Sequence, residues 1–156
     1  MADVLLRPGA YHFGGEGTRI HTVLGSCVSI TIWHPGLRIG GMCHYMLPGR
    51  CPASDPLNAR YAEGAVNHFL RDVRQANTSP AQYEVKMFGG GRQFPHLSPP
   101  APLDVANNNI GAGIVLLERH GFHLTARNLG GTGARRLIFD IATGDVWLRA
   151  VDGATT

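Results

Sequence analysis

Residues 22 to 33 read TVLGSCVSITIW, and past the glycine their side chains alternate, with Val28, Ile30 and Ile32 on one side and Cys27, Ser29 and Thr31 on the other. A period of two in β-branched residues specifies a strand, and a strand must find neighbours. The first is close at hand. HisProGly at 34 to 36 supplies a turn, and residues 37 to 47 (LRIGGMCHYML) form a second apolar run that stops at Pro48. The two runs are expected to pair as a hairpin, which brings the Cys27 region near His44.

Around that hairpin the pattern changes. Residues 49 to 58 are a Pro-rich loop, and from Ala59 the apolar residues Ala62, Ala65, Val66, Phe69, Leu70 and Val73 follow i, i+3, i+4 spacing, predicting a helix that ends near residues 75 to 77. Tyr83, Val85 and Met87 alternate as a strand running into three glycines at 89 to 91, and residues 95 to 102 hold four prolines and read as a loop. Asn107 to Asn109 offer an N-cap for a second helix carrying Ile110, Ile114, Val115 and Leu117 and closed at Gly121. Phe122, Leu124 and Ala126 then alternate, and residues 136 to 141, a ThrGlyAsp turn and residues 146 to 151 read as a terminal hairpin. The expected fold is α+β, a single-domain α/β sandwich over residues 1 to 156. It has about six or more strands in mixed or antiparallel sheet and two main helices packed on it.

A chain of 156 residues reaches the size at which about 70% of the unfolded surface is buried, so it needs neither disulfides nor a metal to fold. Its 14 basic and 11 acidic residues leave a formal charge of +3, too small and too diffuse for a nucleic-acid partner. No stretch approaches the roughly 18 to 20 apolar residues that span a bilayer, and the N-terminus lacks a basic segment followed by an apolar one. The expectation is a soluble, cytoplasmic protein with no direct membrane insertion. Its three cysteines then read as reduced thiols.

Among those thiols Cys27 stands apart. Gly25 and Ser26 before it suit a tight, accessible turn, and His44 across the hairpin supplies a base. At an ordinary pKa near 8.5 a thiol is only ~3% ionised at pH 7, and a neighbour lowering it to ~6 makes it ~90% thiolate. Ser29 and Thr31 on the same side make that side a poor core face, which favours exposure of Cys27. Cys43 points away from His44 and reads as packing; Cys51 lies in the Pro-rich loop. His21, Cys27, His34, Cys43, His44 and Cys51 lack the paired spacing of a structural zinc site, so no metal is expected. The glycines at 89 to 91 and 130 to 133 lack the strand-to-helix context of a phosphate loop, so no nucleotide or other cofactor is expected. Those glycines, with Gly25, Gly40 and Gly41, are expected to wall a cleft beside Cys27.

At these same residues the chain resembles the CheD family of chemotaxis proteins, the chemoreceptor glutamine deamidases of bacteria and archaea. LeuGlySerCysVal at 24 to 28 and GlyGlyMetCysHisTyrMetLeuPro at 40 to 48 are similar to the family's leading motifs, with Cys43 where the family often has alanine. TyrAla at 61 to 62, LysMetPheGlyGlyGly at 86 to 91, AsnIleGlyAla at 109 to 112 and GlyGly at 130 to 131 continue the likeness in order, although Gly113 and Ile114 stand where the family carries ArgAsn. The resemblance implies Cys27 as nucleophile and His44 as general base and acid, with backbone N–H groups about Gly25 and Ser26 receiving the oxyanion. The family's third polar member falls six residues before the cysteine, at His21 here, with Thr22 beside it, so either is a candidate. The implied substrates are glutamine side chains of chemoreceptor cytoplasmic domains. A non-enzymatic adaptor that docks to a CheC-type phosphatase or a receptor is the alternative, and hydrolysis of receptor glutamate methyl esters a third.

Overall fold

The computed structural model describes residues 2 to 91, 104 to 130 and 133 to 151. The run from 22 to 33 is not one strand. It divides into β3 (Thr18–Leu24) and β4 (Val28–His34), and these belong to different sheets. Residues 25 to 27 are the crossing between them, because Gly25 and Ser26 interrupt the pairing pattern at the point where the chain must change layers.

The first sheet has the order β1–β3–β8–β9, with β1 (Ala2–Leu5), β8 (Arg135–Asp140) and β9 (Val146–Ala150) around β3. β1 runs parallel to β3 and the other pairs are antiparallel. In the second sheet the order is β2–β5–β4–β6–β7, with β2 (Tyr11–Gly15), β5 (Ile39–Cys43), β6 (Glu84–Gly89) and β7 (Leu124–Leu129). The expected hairpin is present as β4 and β5, in a register that pairs Thr31 with Met42 and His34 with Ile39. Nine strands among the described residues, in two mixed sheets, agree with the α+β expectation. β1, β2 and the first half of β3 lie outside the strands the sequence predicted. They are short and interrupted by Pro8, Gly9 and Gly14 to Gly17, so no long alternation marks them.

α1 (Ala62–Gln75) and α2 (Val105–Arg119) cover one face of the second sheet. Val28, Ile30 and Ile32 face them and are fully buried with Cys43, Tyr45, Phe69, Val85, Met87, Leu117 and Phe122. The other face of that sheet packs on the first sheet through Ile20, Leu24, Met42, Phe88, Leu137, Phe139 and Ile141. Two cores therefore separate three layers, helices, sheet and sheet. Burying ~25 cal/mol for each Å² of apolar surface, this double layer is what holds the crossing at residues 25 to 27 in place.

The three-layer arrangement corrects two expectations. Ser29 and Thr31 are 0% and 2% exposed, because a second sheet covers their side of β4. Asn107 to Asn109 do not cap α2; Asp104 does, accepting the Asn107 N–H at 3.2 Å and the Asn107 side-chain amide at 2.7 Å. The start moves upstream because a carboxylate one turn earlier satisfies the first free N–H groups. The buried stripe of α2 is then Ala106, Asn109, Gly113, Leu116 and Leu117, and Val115 is 52% exposed. Gly121 does lie at the end of α2, its N–H reaching Glu118 O at 3.3 Å. Of the expected loops, residues 95 to 102 fall outside the described residues.

Candidate active site

His44 follows β5 and its side chain faces the layer between the two sheets, as Met42 does two residues earlier. Thr22 faces the same layer from β3, so a contact between them joins one sheet to the other. Thr22 Oγ1 lies 2.7 Å from His44 Nδ1 and 2.8 Å from the carbonyl oxygen of Leu6. A carbonyl only accepts, and a hydroxyl has one proton, so that proton is donated to Leu6 O. Thr22 Oγ1 therefore accepts from His44, Nδ1 carries the ring proton, and Nε2 carries the lone pair. His44 is 1% exposed, and burial pushes its pKa down to about 4, so the ring is neutral at pH 7. Its Nε2 has no hydrogen-bond partner among the described residues.

Cys27 reaches the same layer from the crossing. Val28 and Tyr45 exchange both backbone hydrogen bonds, Val28 N–H to Tyr45 O at 3.2 Å and Tyr45 N–H to Val28 O at 3.0 Å. In that register Cys27 stands opposite Met46 and Ser29 opposite His44, which makes Cys27 and His44 diagonal neighbours on one face. Such neighbours lie about 7–8 Å apart, within reach of long or aromatic side chains. The Cys27 thiol is half-buried, and burial pushes its pKa above the ordinary value. The expected lowering toward a resting thiolate is therefore not found: with His44 neutral, no positive charge among the described residues acts on the sulfur, and desolvation decides the sign. Cys43, fully buried, is pushed up to about 12, in line with a packing role.

The crossing is held by its carbonyls. Gly25 O accepts from Gly91 N–H at 3.1 Å, Ser26 O from Asn109 Nδ2 at 3.3 Å, and Cys27 O from Gly90 N–H at 2.9 Å. Among the described residues no acceptor stands opposite the N–H groups of Gly25, Ser26 or Cys27. Close approach here requires Gly89. With φ at +108°, a Cβ on Gly89 would stand 2.3 Å from Cys27 O. Gly89 to Gly91 thus lie beside Cys27 as expected, and Gly130 joins them through its N–H to Gly89 O at 3.0 Å. Gly40 and Gly41 do not. A Cβ on Gly40 would meet Ile32 O and the Phe139 ring, so this glycine serves the approach of the two sheets, and Gly41 faces Phe13. Gly131 lies outside the described residues.

His21 is not brought to the site. Its side chain is on the opposite face of β3 from Thr22, bonded through Nε2 to Asp3 at 3.0 Å. One residue of register decides this, because successive side chains of a strand point to opposite faces. Asn109, expected as one of three N-cap candidates and as the first residue of a motif similar to the family's, was given no place in the site, and the available signal for one was a polar residue inside an otherwise apolar helical stripe. Among the described residues no group of three or more His, Cys, Asp or Glu is placed to hold a metal ion.

A thiol, a hydroxyl orienting an imidazole, and an Nε2 lone pair and backbone N–H groups without partners among the described residues are groups that can carry out thiol-dependent hydrolysis. The chain belongs to the CheD family. The family described as CheD chemotactic sensory transduction matches residues 46–150. Relatives named "Probable chemoreceptor glutamine deamidase CheD" extend the likeness over nearly the whole chain. One from Pseudomonas savastanoi pv. phaseolicola is 47% identical over 96% of this chain and 85% of its own length. Another, from Pseudomonas fluorescens, is 49% identical over 94% of this chain and 84% of its own. "Probable chemoreceptor glutamine deamidase CheD 3" of Dechloromonas aromatica is 45% identical over 99% and 91%.

Proposed function

We propose that this chain hydrolyses glutamine side-chain carboxamides of chemoreceptor cytoplasmic domains to glutamate, releasing ammonia, with Cys27 as nucleophile and His44 as general base and acid. The observation that carries the reading is the Leu6–Thr22–His44 chain of hydrogen bonds, which leaves a neutral Nε2 lone pair on the face it shares with Cys27. The names of the relatives supply the substrate class.

The resting pair is neutral thiol and neutral imidazole, so attack and proton transfer go together. His44 Nε2 takes the Cys27 proton as Sγ bonds to the carboxamide carbon, and the C=O pair moves onto oxygen. The N–H groups of Ser26 and Cys27 receive that oxyanion. On collapse the C–N bond breaks, His44 gives its proton to the leaving nitrogen, and a thioester remains. His44 then takes a proton from water as its oxygen adds, the C–S bond breaks, and the sulfur recovers the proton from His44. Thr22 keeps the ring oriented throughout and stabilises the transient imidazolium, the part that an orienting group plays behind any catalytic histidine.

The test is to incubate the chain with receptor cytoplasmic fragments and follow glutamine-to-glutamate conversion by mass spectrometry and ammonia by a coupled assay. Conversion by the wild type and none by Cys27→Ala is expected. Equal conversion by Cys27→Ala sinks the proposal, and tight receptor binding without conversion points instead to the adaptor reading.

A further inference from the structure

We propose that Asn109 is a positioning residue for the oxyanion donors, an amide clamp reaching from the helical layer to hold the Cys27 loop in its working orientation. The inference rests on the deamidase reading and adds to it a residue from a third layer of the fold. Asn109 is 0% exposed, and its Nδ2 donates to Ser26 O at 3.3 Å and to Met46 O at 3.0 Å. Both acceptors are carbonyls, so the side-chain nitrogen must face them. Ser26 precedes the nucleophile, and Met46 is the residue that stands opposite Cys27 in the β4–β5 register. The Tyr45 hydroxyl donates to the Asn109 carbonyl and fixes the backbone of the clamp to the residue beside His44.

The consequence follows from peptide geometry. Ser26 C=O and Cys27 N–H belong to one planar unit, and the chain has no cis peptide bond among the described residues, so the two groups point in opposite directions. Holding Ser26 O against α2 therefore turns Cys27 N–H away from α2. In the same way Gly91, by holding Gly25 O, turns Ser26 N–H. Without Asn109 the peptide between Ser26 and Cys27 has no anchor among the described residues, and the donor it carries is free to rotate. Asn109 Oδ1 is buried with no partner among the described residues, a cost that an apolar residue in this stripe would avoid.

The experiment compares two electrophiles on the same sulfur. Iodoacetamide reacts by displacement of iodide, with no carbonyl oxygen gaining charge at the reacting carbon. A peptide aldehyde, with –CHO in place of the glutamine carboxamide, reacts by addition of Sγ to the carbonyl carbon, which places a charged or newly protonated oxygen where the oxyanion forms. In Asn109→Ala, alkylation of Cys27 at about pH 9 is expected to stay within about twofold of wild type. Aldehyde affinity and kcat are expected to fall roughly 10²- to 10³-fold with KM little changed. Asn109→Asp keeps the shape, presents only acceptors to the two carbonyls, and is expected to lose as much. In the wild type the Cys27 amide proton resonance is expected to move downfield on adduct formation.

Loss of less than about threefold in aldehyde affinity, or an equal fall in alkylation and adduct formation, overturns the clamp. An unmoved Cys27 amide resonance overturns it whatever the variants do. A wild-type chain that is alkylated but forms no adduct overturns it also. A wild-type chain that forms the adduct and converts no receptor glutamine overturns the deamidase reading alone.

Discussion

At the scale of single residues, the sequence left His21 and Thr22 as equal candidates, and the strand's two-residue period separates them. Thr22→Val removes the acceptor for His44 Nδ1 and leaves Leu6 O without its hydroxyl. It is expected to lower kcat about 10²-fold, while Thr22→Ser stays within about threefold and His21→Ala within about twofold, all measured by ammonia release. The ionisation states give a second expectation. With His44 at about 4 and Cys27 above its ordinary value, kcat/KM should have its acid limb near 4, and iodoacetamide uptake by resting Cys27 should be slow until pH exceeds the ordinary thiol range. An acid limb near the ordinary histidine value would show an imidazole that is not desolvated and would count against this proton path. Cys27 should therefore not announce itself as a fast thiol at neutral pH, contrary to the sequence-based expectation of an activated thiolate.

At the scale of elements, the informative piece is the crossing from β3 to β4. Gly89→Ala would force a Cβ against Cys27 O in a backbone conformation that side chains rarely adopt. The expected outcome is destabilisation of about 1–3 kcal/mol by urea unfolding, accompanied by loss of kcat as the crossing shifts. Asp104→Ala, which removes the α2 cap, should cost about 1 kcal/mol and, by fraying the turn that carries Asn109, lower kcat as well. The hairpin, both helices and the terminal pair of strands were legible because each has a sustained period of its own. The break at residues 25 to 27 was not, since alternation on the two sides of a crossing looks the same whether the strand continues or changes sheets. The helix start was misplaced for a related reason: Asn and Asp are both good caps, and only the observed hydrogen bond chooses between them.

At the scale of the whole molecule, stability and proton binding are coupled through the layer between the sheets. His44 unfolded binds a proton near pH 6.5, whereas folded it refuses one until about 4. Its contribution is therefore fully present above pH 6.5 and is lost as pH falls toward 4, by up to on the order of 3 kcal/mol. Urea unfolding at neutral and acid pH should show this loss, and His44→Asn should flatten it. Phe139→Ala, emptying the same layer, is expected to cost about 3–5 kcal/mol at either pH. The sequence by itself determined the α+β class, the β4–β5 pairing that brings Cys27 toward His44, and, through its motifs, the family. These depend on local period and on residue order, which a linear string carries. Only the tertiary structure decided that Ser29 and Thr31 are covered, that Thr22 and not His21 meets the imidazole, and that Asn109 reaches the Ser26 carbonyl beside Cys27. Each of those depends on which layer lies over a given face, and packing between layers is set by contacts among residues far apart in the chain.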